Sequence, residues 1–362
     1  MRVGLQERLG VTRVARVTGL DRVGVEVACA VRPQGHVLQV CNGKGRTWRR
    51  AAESAVMECA ELWAAEHVDA SQLRWSTVAA LAESGALGVA PGELPGGRFP
   101  LDVTHARIAW REGMELFRRE QAWVPAVAVH CPPPGAALLG PALCDWSSNG
   151  SGAHPGLAAA RAHALFEAIE RDQLALALPE GWTAEALAAR RLSGAQLSPE
   201  LTRQTRRLAA EGLQLDAFDL TVRRERGRQA GLGVPLGAVL LLDLERGPNP
   251  VAAGYASRPE LSAALEAAFE EAAQTRLTDI HGAREDVEPM AYSDVDALFA
   301  LMARVRSTGA PPRRLPPGVH DVLGALRFGG YERVVAVELG GAGLGVHVQK
   351  ILVPGFRVSG LL

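Results

Sequence analysis

Three stretches of the chain place acidic side chains at helical spacing within alanine-rich, largely apolar surroundings. About 3.6 residues make one helical turn, so side chains three or four positions apart share one face of a helix. Each stretch therefore predicts a helix with a narrow acidic line. The lines are Ser54, Glu58 and Glu61 within 54–61, Glu167 and Glu170 within 165–172, and Glu271 and Gln274 within 269–276.

Acids that converge in apolar surroundings need positive charge nearby, because an unpaired buried carboxylate is very costly. Mg2+ takes oxygen ligands, usually one or two carboxylates together with waters and substrate phosphates. Arg171 follows the second acidic line, and an arginine can bind a phosphate through two hydrogen bonds. Lys44 stands between two glycines, where it would either meet a phosphate or be a solvated turn lysine. The pattern predicts a cavity that holds Mg2+ and a nucleotide.

Two other interpretations of the acidic lines stay open at this point. Glutamate is a good helix former, so any one line could be the solvated face of a surface helix. Such helices carry a broad polar face, however, whereas the residues around Glu58 and Glu61 are mostly apolar. The acids could instead form structural ion pairs with Arg171, Arg276 or Arg284.

No motif identifies a catalytic residue. The chain contains no G-x-x-x-x-G-K-[ST] motif and no G-x-S-x-G motif, which excludes a P-loop protein and gives no sign of a serine hydrolase. His154, His163 and His281 lie near the acidic stretches, and we interpret each as a polar packing residue rather than a base.

The elements that must position these residues mix strands and helices without strict alternation, which predicts an α+β fold rather than a doubly wound sheet. Turns are predicted at 42–45 and 147–152, just before the first two acidic helices, and the third acidic helix is predicted for 259–281. A thrice-repeated unit of turn and helix is indicated, without a strict sequence period. The predicted strands are 22–31, 36–41, 107–110, 123–130, 213–221, 235–243, 332–339 and 346–353.

Composition narrows the class of protein. The 362 residues fit one large domain, 1–362, with internal boundaries near 84–100 and 176–212. Lys+Arg number 39 against 40 Asp+Glu, so the basic surface of a nucleic-acid binder is not expected. The five cysteines form no CxxC pair, and neither a signal peptide nor a membrane-spanning run is evident. We expect a cytoplasmic protein without a membrane partner.

With these motifs in place, the chain resembles the YcaO family over nearly its full length. The single motifs are short, but their order and spacing are specific. They are 10–13, 17–22, 32–33, 43–45 leading into Ser54, Glu58 and Glu61, then 110–116, 123–125, 148–150 ahead of Glu167, Glu170, Arg171 and Asp172, then Glu271, Gln274 and Arg276, and finally 282–286 and 353–355.

The resemblance implies a YcaO-like fold, with mixed sheets and helices around a central acidic nucleotide-binding cavity. It also implies an enzyme that uses ATP and Mg2+ to phosphorylate the oxygen of a peptide backbone amide, so that a nucleophile can replace that oxygen. An internal Cys, Ser or Thr would give an azoline, an internal amine an amidine, and an external sulfide a thioamide. The site residues implied are Lys44, Ser54, Arg171, Gln274 and Arg284 for ATP and phosphate. Those implied for the metal are Glu58, Glu61, Glu167, Glu170 and Glu271.

The chain departs from the family pattern at several positions. His154, Pro155 and Ala159 stand where a Gly-Asn pair and a Glu are usual, and 256–258 replaces a common Gly and His. The C-terminal residues, 353–362, lack the proline-rich tail typical of azoline-forming members. The resemblance therefore favours thioamidation with a sulfur-delivery (TfuA-like) or precursor-recognition partner, a peptide or protein substrate, and a homodimer. A weakened homologue that serves as a peptide-binding or partner scaffold is the alternative.

Overall fold

A computed structural model describes residues 3–97, 105–224, 226, 231–247, 249–284, 292–307, 314–340 and 343–359. Within these ranges the chain forms ten helices and twelve strands. The helices are α1 (Val3–Leu9), α2 (Trp48–Glu66), α3 (Val78–Glu83), α4 (Ala126–Val129), α5 (Leu157–Ala177), α6 (Ala184–Ala188), α7 (Pro199–Ala210), α8 (Leu261–His281), α9 (Tyr292–Ser307) and α10 (Val322–Phe328). The strands are β1 (Arg13–Arg16), β2 (Glu26–Val31), β3 (Val40–Gly45), β4 (Leu73–Thr77), β5 (Arg107–Glu115), β6 (Glu120–Pro125), β7 (Ser151–His154), β8 (Leu213–Asp219), β9 (Leu236–Asp243), β10 (Val251–Ser257), β11 (Val335–Glu338) and β12 (His347–Leu352).

The strands form three antiparallel sheets, so the predicted α+β class is confirmed. One sheet has the order β1-β2-β3 and a second has the order β10-β9-β8. The largest has the order β4-β5-β11-β12-β7, with β6 as a further partner of β5. Among the described helices, none combines the length and the apolar character that crossing a bilayer requires.

All three acidic stretches are helical, in α2, α5 and α8, as predicted. The turn predicted at 42–45 is wrong, because these residues belong to β3, where Asn42 pairs with Cys29 and Gly45 with Glu26. Asn-Gly favours a turn locally, but pairing with β2 overrides that preference here. The second strand of the early hairpin is accordingly 40–45 rather than 36–41. The strand predicted for 123–130 ends at Pro125, and one helical turn, α4, follows it.

Each acidic helix packs closely against the strand that precedes it. In every case a strand glycine faces two helix alanines one turn apart, and a Cβ on that glycine would collide with helix backbone. At Gly43, for example, it would lie 2.0 Å from the amide nitrogen of Ala55. The three contacts are Gly43 with Ala51 and Ala55, Gly152 with Ala160 and Ala164, and Gly254 with Ala268 and Ala272.

These contacts set where each acidic line begins. Glu58 follows Ala55 by three residues, Glu167 follows Ala164 by three, and Glu271 follows Ala268 by three. In α8 the contact lies one turn further along the helix relative to the acid, because Gly254 faces both Ala268 and Ala272. The predicted unit therefore recurs as strand and helix without a strict sequence period: the acid lies one turn beyond the contact in α2 and α5, and within the contact in α8.

Filling this contact should destabilise the protein. Gly254→Ala would place its Cβ 2.1 Å from the carbonyl oxygen of Ala268, which is helix backbone and cannot rotate away. We expect the free energy of unfolding to fall by about 2 kcal/mol or more in urea titrations, as overpacked cores do. Gly19→Ala is the matched control, because its Cβ would meet nothing within 4 Å. Equal stability of the two variants would contradict this packing.

Candidate functional site

The acidic faces of α2, α5 and α8 meet at one cavity of about 1140 Å³. Every residue that the sequence analysis assigned to nucleotide, phosphate or metal lines this cavity. Those residues are Lys44, Ser54, Glu58, Glu61, Glu167, Glu170, Arg171, Glu271, Gln274 and Arg284. The acidic lines thus converge, and they are not solvated faces of separate surface helices.

Basic side chains are interleaved with the acids. Lys44 Nζ lies 2.9 Å from a carboxylate oxygen of Glu271. Arg171 lies between two acids of its own helix, 3.9 Å from Glu167 and 3.6 Å from Glu170. At the rim, Arg284 approaches Glu58 at 3.7 Å. Apart from the lysine contact, these are loose ion pairs rather than short bidentate ones.

Backbone N–H groups donate to several of the acids, among them Glu271, which accepts from Tyr255 N at 3.5 Å. The N–H of Ala153 in β7 donates to Glu61 at 2.8 Å, and the N–H of Ser257 at the end of β10 donates to Glu170 at 3.2 Å. The strands that position the helices thus also fix carboxylates across the cavity. Such N–H donors favour the ionised form of a carboxylate.

Burial shifts the protonation of three acids in the cavity. Burial raises the pKa of Glu58 to about 7, against the effect of Arg284 and Lys44. Burial, together with repulsion from Glu167, raises the pKa of Glu61 to about 8. Burial likewise raises the pKa of Glu170 to about 8, with added repulsion from Glu271. Three carboxyls therefore hold protons near neutral pH, and a divalent cation would displace those protons.

Glu167 and Glu271 differ in their charge balance. Burial raises the pKa of Glu167 despite Arg171 and Lys350. Burial also acts to raise the pKa of Glu271, but Lys44 and Arg171 outweigh it, so this pKa lies below its usual value. Glu271 is therefore the acid in the cavity that stays ionised without any bound cation.

Sequence reasoning missed a polar group on the cavity wall. Asn42 is 2% exposed, its side-chain nitrogen donates to Thr278, and its side-chain oxygen is buried without a hydrogen-bond partner in the described structure. A buried acceptor without a partner is costly, which makes this oxygen a candidate contact for a bound ligand. The local Asn-Gly signal indicated a turn and so concealed the strand that carries it.

Arg276, considered as a partner for the acids, lies elsewhere. It is 2% exposed and binds Asp21 and Asp243, each at 2.9 Å. His281 ends α8, where its Nδ1 accepts a hydrogen bond from Ala283 N. His154 and His163 line the cavity, contrary to a packing role. The sequence could not tell which of these side chains face the cavity, because that depends on which face of each helix points inward.

The departures from the family pattern fall on the same cavity wall. His154, Pro155, Ala159, Ala256 and Arg258 all line it. The cavity wall therefore carries the imidazoles of His154 and His163 and the guanidinium of Arg258.

The donor set fits Mg2+ in one specific sense. Carboxylate, hydroxyl and amide oxygens face the cavity, and these are the ligands that Mg2+ prefers. Among the described residues, however, no three His, Cys, Asp or Glu side chains stand close enough to hold a metal ion by themselves. Magnesium here would need phosphate oxygens and waters to complete its coordination.

Comparisons with known proteins agree with this geometry. A family model described as YcaO cyclodehydratase, ATP- and Mg2+-binding, matches residues 42–357. The chain is 29% identical over 370 residues to an uncharacterized protein in the tfuA 3' region of Rhizobium leguminosarum bv. trifolii, covering 97% of this chain and 84% of that protein.

Solved structures share the fold. A YcaO from Methanopyrus kandleri bound with AMPPCP and Mg2+ gives a TM-score of 0.69 at 23% identity, covering 98% of this chain and 88% of that one. A heterocyclase in complex with substrate and cofactor gives 0.73 at 18% identity. The match covers 98% of this chain, which spans about half (52%) of that heterocyclase. Since the family model matches most of its length, the chain belongs to the YcaO family, which is described as binding ATP and Mg2+.

Proposed function

We propose that the chain uses ATP and Mg2+ to phosphorylate a backbone amide oxygen of a peptide or protein substrate, and that sulfur then replaces this oxygen. The observation that carries the proposal is the convergence of three acidic helix faces, with Lys44, Arg171 and Arg284, on one cavity. Phosphoryl transfer depends mainly on positioning and on neutralising charge, and this set of side chains is suited to both tasks.

The proposed roles follow from the contacts. Glu58, Glu61, Glu167, Glu170 and Glu271 would ligate magnesium directly or through water. Lys44, Ser54, Arg171, Gln274 and Arg284 would bind the nucleotide and its phosphates. When bound, ATP supplies the phosphoryl group that makes the amide oxygen a good leaving group. The loose pairs of Arg171 allow its guanidinium to turn toward a phosphate without leaving the carboxylates.

The size and lining of the cavity support a second substrate. Small-molecule sites usually measure about 300–1,000 Å³, and this cavity exceeds that range. Its wall also carries apolar side chains, among them Leu38, Met57 and Leu62. A nucleotide and a short peptide segment would fit side by side, the segment against the apolar side chains.

The relative in the tfuA 3' region supports thioamidation over azoline formation, and it supports a TfuA-like partner for sulfur delivery. In that reaction sulfur takes the place of the amide oxygen, which leaves as phosphate. A precursor-recognition partner and a homodimer are further parts of the proposal, and both come from the family.

One observation favours a different function. Pro155 and Ala159 line the cavity where the family pattern has Asn and Glu. A chain with a weakened nucleotide site would serve as a scaffold that binds a peptide or a partner. The acids argue against it, because a scaffold gains nothing from burying carboxylates at this cost.

Removing single acids should separate the two functions. Glu58→Gln and Glu170→Gln keep the side-chain size but remove the charge that attracts the cation. We expect each to weaken binding of Mg·ATP in calorimetry by about tenfold or more. Glu83→Gln, an exposed acid of α3 outside the cavity, is the control and should bind like the wild type. Absence of binding by the wild type would support the scaffold.

Binding should also depend on pH with a defined sign. Glu58, Glu61 and Glu170 have pKa values of about 7, 8 and 8 in the folded chain, against about 4.3 when unfolded. The folded state thus binds more protons at these carboxyls. Above about pH 6.5, where His130 and His163 no longer contribute a change of opposite sign, the stability of the ligand-free chain falls as pH rises to about 8. The melting temperature should drop over this range, while the increment due to Mg·ATP should grow. A constant or shrinking increment would contradict the assignment.

Mass spectrometry identifies the chemistry. A candidate peptide incubated with the chain, ATP, Mg2+ and a sulfide source should exchange one oxygen for sulfur. Loss of water would instead indicate a ring or an amidine. Omitting sulfide is the control, and modification that proceeds without it would overturn thioamidation while leaving amide activation intact.

A further inference from the structure

Lys350 is a buried lysine that is not among the residues lining the acidic cavity. It is 1% exposed, and its Nζ donates to the backbone carbonyls of Ser147 at 2.5 Å and Asn149 at 2.6 Å. Burial lowers the pKa of Lys350 to about 8, while Glu167 and Glu61 favour its charged form. A buried ammonium is costly unless nearby groups need it.

The identity of the residue is itself informative. Lys44 and Lys350 are the only two lysines in the sequence, which uses arginine at every other cationic position. Lys44 pairs with Glu271 in the cavity, whereas Lys350 is outside the cavity lining and interacts electrostatically with Glu61 and Glu167. A compact ammonium can sit between two closely spaced carbonyls, whereas a planar guanidinium needs more room.

The carbonyls held by Lys350 belong to a tight turn, 147–150. Gly150 adopts a φ of 75°, which favours glycine, and its carbonyl accepts from the N–H of Ile351 at 2.7 Å. The turn leads directly into β7, where Ser151 lies opposite Lys350 in the register with β12. Lys350 therefore fixes the start of β7 in two ways: its side chain binds the turn that precedes the strand, and its backbone pairs with Ser151.

This strand carries the N–H that orients a cavity acid. Ala153, two residues after Ser151, donates to Glu61 at 2.8 Å. Of the five acids assigned to the metal, four have a cationic side chain within 4 Å. Glu61 has none among the described residues. Its geometry therefore depends on β7 more than that of the others does.

We propose that Lys350 is a positioning residue for the nucleotide site. It anchors the 147–150 turn, and through β7 it fixes the N–H that orients Glu61. This inference rests on the proposed Mg·ATP site. It gives the turn at 147–150 a physical role, because the carbonyls of Ser147 and Asn149 bind the lysine.

The test is a double-mutant cycle with Mg·ATP as ligand. Lys350→Met should weaken binding by about tenfold, as losses of supporting groups around metal ligands do. In a Glu61→Gln background the same substitution should have less than about half of that effect on the logarithm of the dissociation constant, because coupled residues are not additive. Equal weakening in both backgrounds, or no weakening, would overturn the inference and leave the proposed function standing. Failure of the wild type to bind would overturn both.

A second measurement tests the inference if the Lys350→Met variant does not fold. Because the sequence has two lysines, lysine-selective isotope labelling gives two sets of side-chain NMR signals, and Lys44→Met assigns them. We expect the Lys350 signal to shift when Mg2+ and AMPPCP are added to the wild type and to shift much less in Glu61→Gln. An unmoved Lys350 signal on saturation would show that the lysine is structural only.

Discussion

Close contact between strand glycines and helix alanines is the constraint on which the site depends. Each acidic helix approaches its strand so closely that a single methyl group would meet helix backbone. The approach fixes the rotation of the helix about its axis as well as its distance. In α2 and α5 an acid faces the cavity one turn beyond the contact, and in α8 Glu271 lies between the two contact alanines. Alanine-rich composition and convergent acids are therefore two consequences of one packing arrangement, since larger residues would displace the helices.

Convergence creates an electrostatic problem that bound ligands would resolve. Six carboxylates line one cavity, and burial raises the pKa of four of them. Without a ligand, the chain reduces the repulsion between these acids by protonating them. Backbone N–H groups from β7 and β10 oppose this protonation, because they stabilise the ionised carboxylates. A bound cation would favour the ionised state of these carboxyls. The burial of these acids thus lowers the stability of the ligand-free chain and favours the binding of Mg·ATP.

Local pattern predicted the parts of the fold whose information is local. Helical spacing of acids and alanines located α2, α5 and α8, and their shared character predicted a common cavity. Local pattern failed where long-range pairing decides, as at Asn42 in β3 and in β10, whose small residues have weak strand propensity. The role of Lys350 could not be predicted from the sequence for the same reason, because its partner Ser147 lies 203 positions away. Its rarity as a lysine was the one signal present in the sequence.

Contact lengths separate arginines that hold the fold from arginines that face the cavity. Arg276 is enclosed by two aspartates at 2.9 Å and a backbone carbonyl, so its donors are committed. Arg171 stays at 3.6 and 3.9 Å from its acids, and its buried Nε has no hydrogen-bond partner in the described structure. A buried donor without a partner is costly, so an anionic ligand that accepts from this Nε would be stabilising. The loose geometry is what a phosphate-binding arginine needs before its ligand arrives, and it favours a ligand site over a network of structural ion pairs.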